Sequence, residues 1–140
     1  GSANAGISIS WSDCGTSANH AKVTGVTWSP QNPVAGDNVT ITGTGTLNKE
    51  ITKEHGTLLF AGIIPENFDG CAGAVIKAPF NLATITFPPA GCPVKAGPLT
   101  TERYVAISTS LPKGKTSTKL TTTDQDGEPV LCVDMTLSNE

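Results

Sequence analysis

Short runs in which apolar and polar side chains take turns recur along this chain, and each is cut off by a cluster of Gly, Pro, Asn or Asp. This constrains the fold more than any other feature, because a period of two puts alternate side chains on opposite faces of a strand. The pattern is clearest in Val39-Thr40-Ile41-Thr42, where Val39 and Ile41 point one way and the threonines the other. It returns in Ile7 to Trp11, Val23 to Trp28, Thr57 to Ile64, Ala83 to Phe87, Arg103 to Ile107, Thr116 to Thr122 and Val130 to Leu137, which predicts about eight strands. Turn signals lie between them at Ser29 to Pro33 with Gly36-Asp37, Pro65 to Gly70, Pro88 to Gly91, Leu111 to Gly114 and Asp124 to Gly127. Strands at this spacing predict an all-β fold, an immunoglobulin-like two-sheet β-sandwich or a barrel. Between Gly73 and Leu82 there is room for one helical turn, limited by Pro79.

The 140 residues make one domain, 1–140, in which residues 1–5 read as a tag remnant or a disordered lead-in. With 15% charged residues, a net charge of −3 and Arg103 as the only arginine, no basic patch is available for phosphate backbones, so no nucleic-acid partner is expected. A neutral or amphiphilic partner fits better. No apolar run approaches the roughly 18–20 residues that cross a bilayer, so we expect a soluble chain from which any secretory leader has been removed.

Cys14, Cys71, Cys92 and Cys132 are too far apart for a zinc site, and His20 and His55 stand alone, so no metal is expected. Disulfides formed in an oxidising compartment are the better reading, and the sequon Asn38-Val39-Thr40 points to the same route, with Asn38 as a glycosylation candidate. Four cysteines allow three connectivities, among which the residues alone do not choose. Joining Cys14 to Cys132 stabilises by about 4–5 kcal/mol in the loop-entropy model, and joining Cys71 to Cys92 by about 3. In the last strand Leu131, Val133, Met135 and Leu137 share a face, so Cys132 falls on the other with Asp134 and Thr136.

Nucleophile elbows, zinc helices, phosphate loops and dinucleotide fingerprints are absent, so the chain is not expected to be an enzyme. His55, just before Gly56, reads as a turn or surface residue. Asp124, Asp126 and Glu128 suggest a calcium loop, but Pro129 stands where the loop needs its glycine, so a solvated hairpin turn is the preferred reading. The apolar residues Ile63, Ile64, Phe68, Val75, Ile76 and Phe80, set around turns, need something to cover them.

Asp13-Cys14-Gly15, Asn38-Val39-Thr40, His55-Gly56, Asp69-Gly70-Cys71, Cys92 to Gly97, Leu111-Pro112 and Leu131-Cys132 occur in an order that resembles the ML (lipid-recognition) domain family. That family includes the soluble Niemann-Pick type C cholesterol carrier, the ganglioside activator and group 2 mite allergens. The resemblance implies a two-sheet sandwich with an internal apolar cavity, disulfides Cys14–Cys132 and Cys71–Cys92, and a lipid as ligand in place of any cofactor. It further implies a secreted or lysosomal carrier, monomeric, in transient membrane contact, holding a sterol, fatty acid or phospholipid tail between its sheets. By strand alternation the cavity candidates are Val39, Ile41, Leu58, Phe60, Ile85, Val105, Ile107, Val133 and Met135; the entrance candidates are Ile63, Ile64, Phe68 and Phe80. Lys113 and Lys115 are candidates for touching anionic head groups.

Three departures separate the chain from sterol carriers: no short disulfide around the first long turn, a longer Cys71–Cys92 loop, and Lys113-Gly114-Lys115-Thr116 where apolar portal residues are placed. They put cholesterol as the native ligand in doubt. Two other classes fit the sandwich. A protein-recognition module, immune or allergen-like and without lipid cargo, requires a solid interior. A carbohydrate-binding domain requires exposed aromatic platforms, and Trp11, Trp28 and Tyr104 supply few.

Overall fold

In the computed structural model, which describes residues 6–140, alternation becomes two antiparallel five-stranded sheets packed face to face. The residues 1–5 assigned to a tag or lead-in lie outside the described residues. The strands are β1 (Ile7–Asp13), β2 (Ala21–Ser29), β3 (Asn38–Leu47), β4 (His55–Phe60), β5 (Ile64–Asp69), β6 (Ala74–Lys77), β7 (Ala83–Phe87), β8 (Gly97–Ile107), β9 (Gly114–Thr123) and β10 (Pro129–Asn139). One sheet has the order β1-β10-β9-β4-β5, the other β2-β3-β8-β7-β6. This is the expected immunoglobulin-like sandwich.

Among the described residues ten strands stand where about eight were expected. The run Thr57 to Ile64 is broken at Ala61-Gly62, which take φ of 53° and 73°, while the Ile63 amide donates to the Phe60 carbonyl. That reversal makes a hairpin of β4 and β5 and puts Pro65 on an edge strand, where a missing N–H is tolerated. β6 has only four residues, too few to display a period, so alternation does not reveal it. The helical turn expected near Pro79 shrinks to a single 3-10 turn, Pro79–Asn81.

Inward side chains of both sheets meet in one cluster: Val39, Ile41, Ile85, Val105 and Ile107 from one, Ile7, Leu58, Phe60, Leu120 and Met135 from the other. A smaller cluster of Ala21, Leu47, Ile51 and Val130 closes the end where β3 finishes and β10 begins. In β10, Val133 and Met135 are buried, and Cys132 lies on the other face as the period requires. Cys14 is bonded to Cys132, joining the end of β1 to β10, and Cys71 to Cys92, joining the turn after β5 to the segment before β8. Both pairings implied by the resemblance are present.

Candidate functional site

β8 pairs with β3 along nearly its whole length, from Gly97 opposite Leu47 to Ala106 opposite Asn38. Its other edge is paired with β7 only from Ile107 back to Tyr104. Pro88-Pro89 follow β7 and cannot donate to a ladder, so the chain leaves the sheet there and returns through the disulfide-tied Cys92. The edge of β8 from Gly97 to Arg103 is therefore left without a strand beside it. Behind the gap, between the sheets, lies a cavity of about 410 Å³. Leu47 and Leu99 wall it from one sheet, Leu120 and Val130 from the other, and Pro88 to Ala90 and Val94 from the loop. Pockets that hold small ligands run from about 300 to 1,000 Å³.

Three side chains span the inner wall of this chamber. Phe68 of β5 stacks on Phe87 of β7 with ring centroids 4.5 Å apart, linking the two sheets. Arg103 stands one step past the last rung between β7 and β8, its Cζ 5.4 Å from the centre of the Phe87 ring. Gly56 makes the stack possible: a Cβ there would collide with the Phe68 ring. Burial lowers the Arg103 guanidinium to about 10, which leaves it charged at neutral pH. Glu54, also in the wall, has its carboxyl raised above the ordinary range by burial and then by the nearby Asp69, against a hydrogen bond with Thr122.

Eight of the nine cavity candidates, Val39, Ile41, Leu58, Phe60, Ile85, Val105, Ile107 and Met135, line a second, deeper cavity that Arg103 also borders. It measures about 50 Å³, so these side chains nearly close on one another. Val133 lines neither; it borders a small void of about 30 Å³ together with Arg103 and Met135. The larger space lies toward the Cys71–Cys92 loop, and of the cavity and entrance candidates only Phe68 borders it.

The four entrance candidates do not come together. Phe68 is in the chamber wall, whereas Ile63 and Phe80 are at turns at the opposite end of the sandwich, 76% and 83% exposed, with Ile64 packed against the core beside them. Phe80 takes a φ of 59°, a conformation that bulky residues rarely adopt. Lys113 and Lys115 are exposed at this same far end, and Lys113 Nζ donates to the Glu140 carbonyl at 2.9 Å. Asn38 is exposed at the start of β3. His55 is exposed, 3.3 Å from Asn67 Oδ1.

The loop after β9 differs from its sequence reading. Asp124 is not solvated: its side chain is fully buried and accepts hydrogen bonds from the Asp126 and Glu128 amides. Lys49 Nζ stands 2.8 Å from Asp124, 2.7 Å from Asp126 and 2.6 Å from Glu128, and His20 Nε2 lies 3.1 Å from Glu128. His20, Asp124 and Glu128 lie close enough to share a cation, and the ammonium of Lys49 already sits against both carboxylates. Burial pushes the Asp124 carboxyl up, but Lys49 and the two amides outweigh it and hold the group below its ordinary value. Sequence could not show this knot, because Lys49 is 75 residues from Asp124 (124 − 49).

The chamber residues that alternation missed did carry a signal. Arg103 shares parity with Val105 and Ile107, so an inward strand position bears a charge.

Comparison with known proteins places these features in context. The ML domain family model matches residues 8–138. A phosphatidylglycerol/phosphatidylinositol transfer protein of Mycosarcoma maydis is 32% identical over 136 residues, covering 91% of this chain and 64% of that protein. A Niemann-Pick type C2 protein from Japanese carpenter ant superposes with a TM-score of 0.61 at 13% identity, covering 91% of this chain and 96% of the other. Chicken MD-1, solved in complex with lipid IVa, gives 0.64 at 16% identity, covering 95% and 90%.

Proposed function

This chain belongs to the ML domain family, and from that premise we propose that it binds a lipid between its sheets and carries it between membranes, as a monomer of the secreted or lysosomal space and without catalysing a reaction. The single observation that carries the reading is the chamber of about 410 Å³ open at the parted β7–β8 edge and continuous in its lining with the apolar interior through Arg103. A transfer function for phosphatidylglycerol and phosphatidylinositol is named for the Mycosarcoma maydis relative, of which the chain spans 64%, and this supports a phospholipid in preference to a sterol.

The physical work required is modest. Each buried methylene contributes about 0.8 kcal/mol, so ten of them contribute about 8 kcal/mol before the cost of association. The nearly closed apolar cavity behind the chamber would receive an acyl chain by parting of the sheets, with Val39, Ile41, Leu58, Phe60, Ile85, Val105, Ile107 and Met135 as its lining; Val133 remains a candidate only from the adjoining void. Ile63 and Phe80, each exposed at a turn, are the candidates for brief contact with a bilayer, and exposed Asn38 is the candidate for glycosylation.

Solvent extraction of protein purified without detergent, followed by mass spectrometry and by uptake from phosphatidylglycerol or phosphatidylinositol vesicles, tests the reading. Co-purifying or captured lipid at up to one molecule per chain is expected. Absence of lipid in both assays contradicts it.

A further inference from the structure

Arg103 is the chain's only arginine, and it points into the sandwich. It alternates with Val105 and Ile107 along β8 and sits opposite Ile41 of β3, so it stands at the edge of the core, with exposed Thr101 on its other side along the strand. Among the described residues no carboxylate forms an ion pair with it and no side-chain hydrogen bond engages it. Its one polar-favouring contact is the face of Phe87. Half-buried Arg103 borders the chamber, the deeper apolar cavity and the small void beside Met135.

An unpaired charge at such a place is unfavourable, and an apolar side chain of similar volume would suit the fold better. Guanidinium cannot escape by losing its proton at neutral pH. What it can do is hold an anion with two parallel N–H donors, the geometry that suits phosphate and carboxylate oxygens. Its location decides the orientation. An amphiphile entering tail first through the β7–β8 gap passes its chain beyond Arg103 into the apolar cavity, which brings its charged group to the neck and leaves the remainder of the head in the chamber beside Thr101, Thr122, Glu54 and Glu102.

We propose that Arg103 is the internal anchor for the anionic group of the ligand, so that this carrier selects phospholipids with a singly charged phosphodiester and an uncharged head over zwitterionic ones and holds the phosphate inside the sandwich. This rests on the carrier reading and deepens it. Arg103 acts by binding, with its Cζ over the face of the Phe87 ring.

Uptake is measured from vesicles containing equal phosphatidylglycerol and phosphatidylcholine, for wild type, Arg103→Met and Arg103→Lys. Wild type is expected to enrich phosphatidylglycerol about tenfold, about the size expected for one charged hydrogen-bonded contact. In Arg103→Met the ratio falls toward one, and Arg103→Lys keeps part of it. A second arm needs no variant: in wild type loaded with phosphatidylglycerol, a water-soluble gadolinium chelate should broaden the phosphorus resonance much less than in a micelle. A third loads oleate, whose carboxylate should compete with phosphatidylglycerol if the anion itself is what Arg103 reads. Enrichment that survives in Arg103→Met, or a phosphorus nucleus as accessible as in a micelle, overturns the proposal. Failure of oleate to compete restricts the anchor to phosphate and supports it in that narrower form. Uptake of both phospholipids without preference defeats the anchor while the carrier reading stands; uptake of neither defeats the carrier reading first.

Discussion

Lys49 and Asp124 show how one side chain can decide whether a loop is stable. Removing the ammonium in Lys49→Met leaves a fully buried carboxylate whose nearest remaining ionisable partner is the His20 imidazole at 3.9 Å, and a lower melting temperature at neutral pH is expected. The pH dependence has a definite sign. The folded-state value of Asp124 lies below its ordinary 3.8, so its stabilisation is present above that pH and is lost as the pH falls through the folded value. In the variant the buried carboxyl, without the ammonium, shifts toward its neutral form, so the gap between wild type and Lys49→Met narrows on acidification below about pH 4. A gap that widens contradicts this account. Glu54 has the opposite sign: burial raises its carboxyl above 4.5, so its ionisation opposes folding as the pH rises through that range. Glu54→Gln is therefore expected to melt higher than wild type at pH 7, with the advantage gone below pH 4, in scans at a series of pH values.

At the scale of elements, alternation located most strands and correctly separated the buried from the exposed face of β3, β4, β8 and the later part of β10; at the start of β10 a register shift between Pro129 and Cys132 buries Val130 where alternation pointed to Leu131. It could not locate β6, which is too short for a period, nor the hairpin hidden in Thr57 to Ile64, whose reversal depends on the left-handed Ala61-Gly62 pair. The candidate site was legible only in part, for a related reason. A period of two reports which face a residue occupies, and the chamber arises from where a neighbouring strand stops. Pro88-Pro89 were visible as a turn, but that they leave β8 unpaired from Gly97 to Arg103 depends on register between distant segments. Gly56 was legible only as part of a motif, and its role of admitting the Phe68 ring needs β5 in place. Gly56→Ala should therefore displace Phe68 from Phe87, destabilise the fold and lower lipid capture, measured together by thermal unfolding and vesicle uptake. Opening the Cys71–Cys92 loop in a Cys71→Ala, Cys92→Ala variant should cost about 3 kcal/mol in denaturant unfolding, since the closed loop spans 21 residues of separation.

Taken as a whole, the molecule stores most of its stability in the apolar layer between the sheets and gives up some of it at one end. Leu58, 1% exposed, lies in that layer, and Leu58→Ala is expected to cost about 2–5 kcal/mol in denaturant unfolding of the lipid-free protein. The same side chain borders the narrow cavity of about 50 Å³ where an acyl chain would go, so stability and capacity are set against each other in one set of residues. Composition gave no reason to expect a nucleic-acid face, and the ordered motifs pointed to the family, while the position and width of the chamber required the two sheets assembled. The most direct test of an interior that receives lipid is isotope-filtered NMR on protein with labelled methyl groups and bound, unlabelled phosphatidylglycerol. Cross-peaks from acyl-chain protons to the methyls of Leu58, Ile85 and Val105 are the result this account predicts. Bound lipid whose acyl protons reach only surface methyls such as Ile63, with none to the three interior residues, would contradict it.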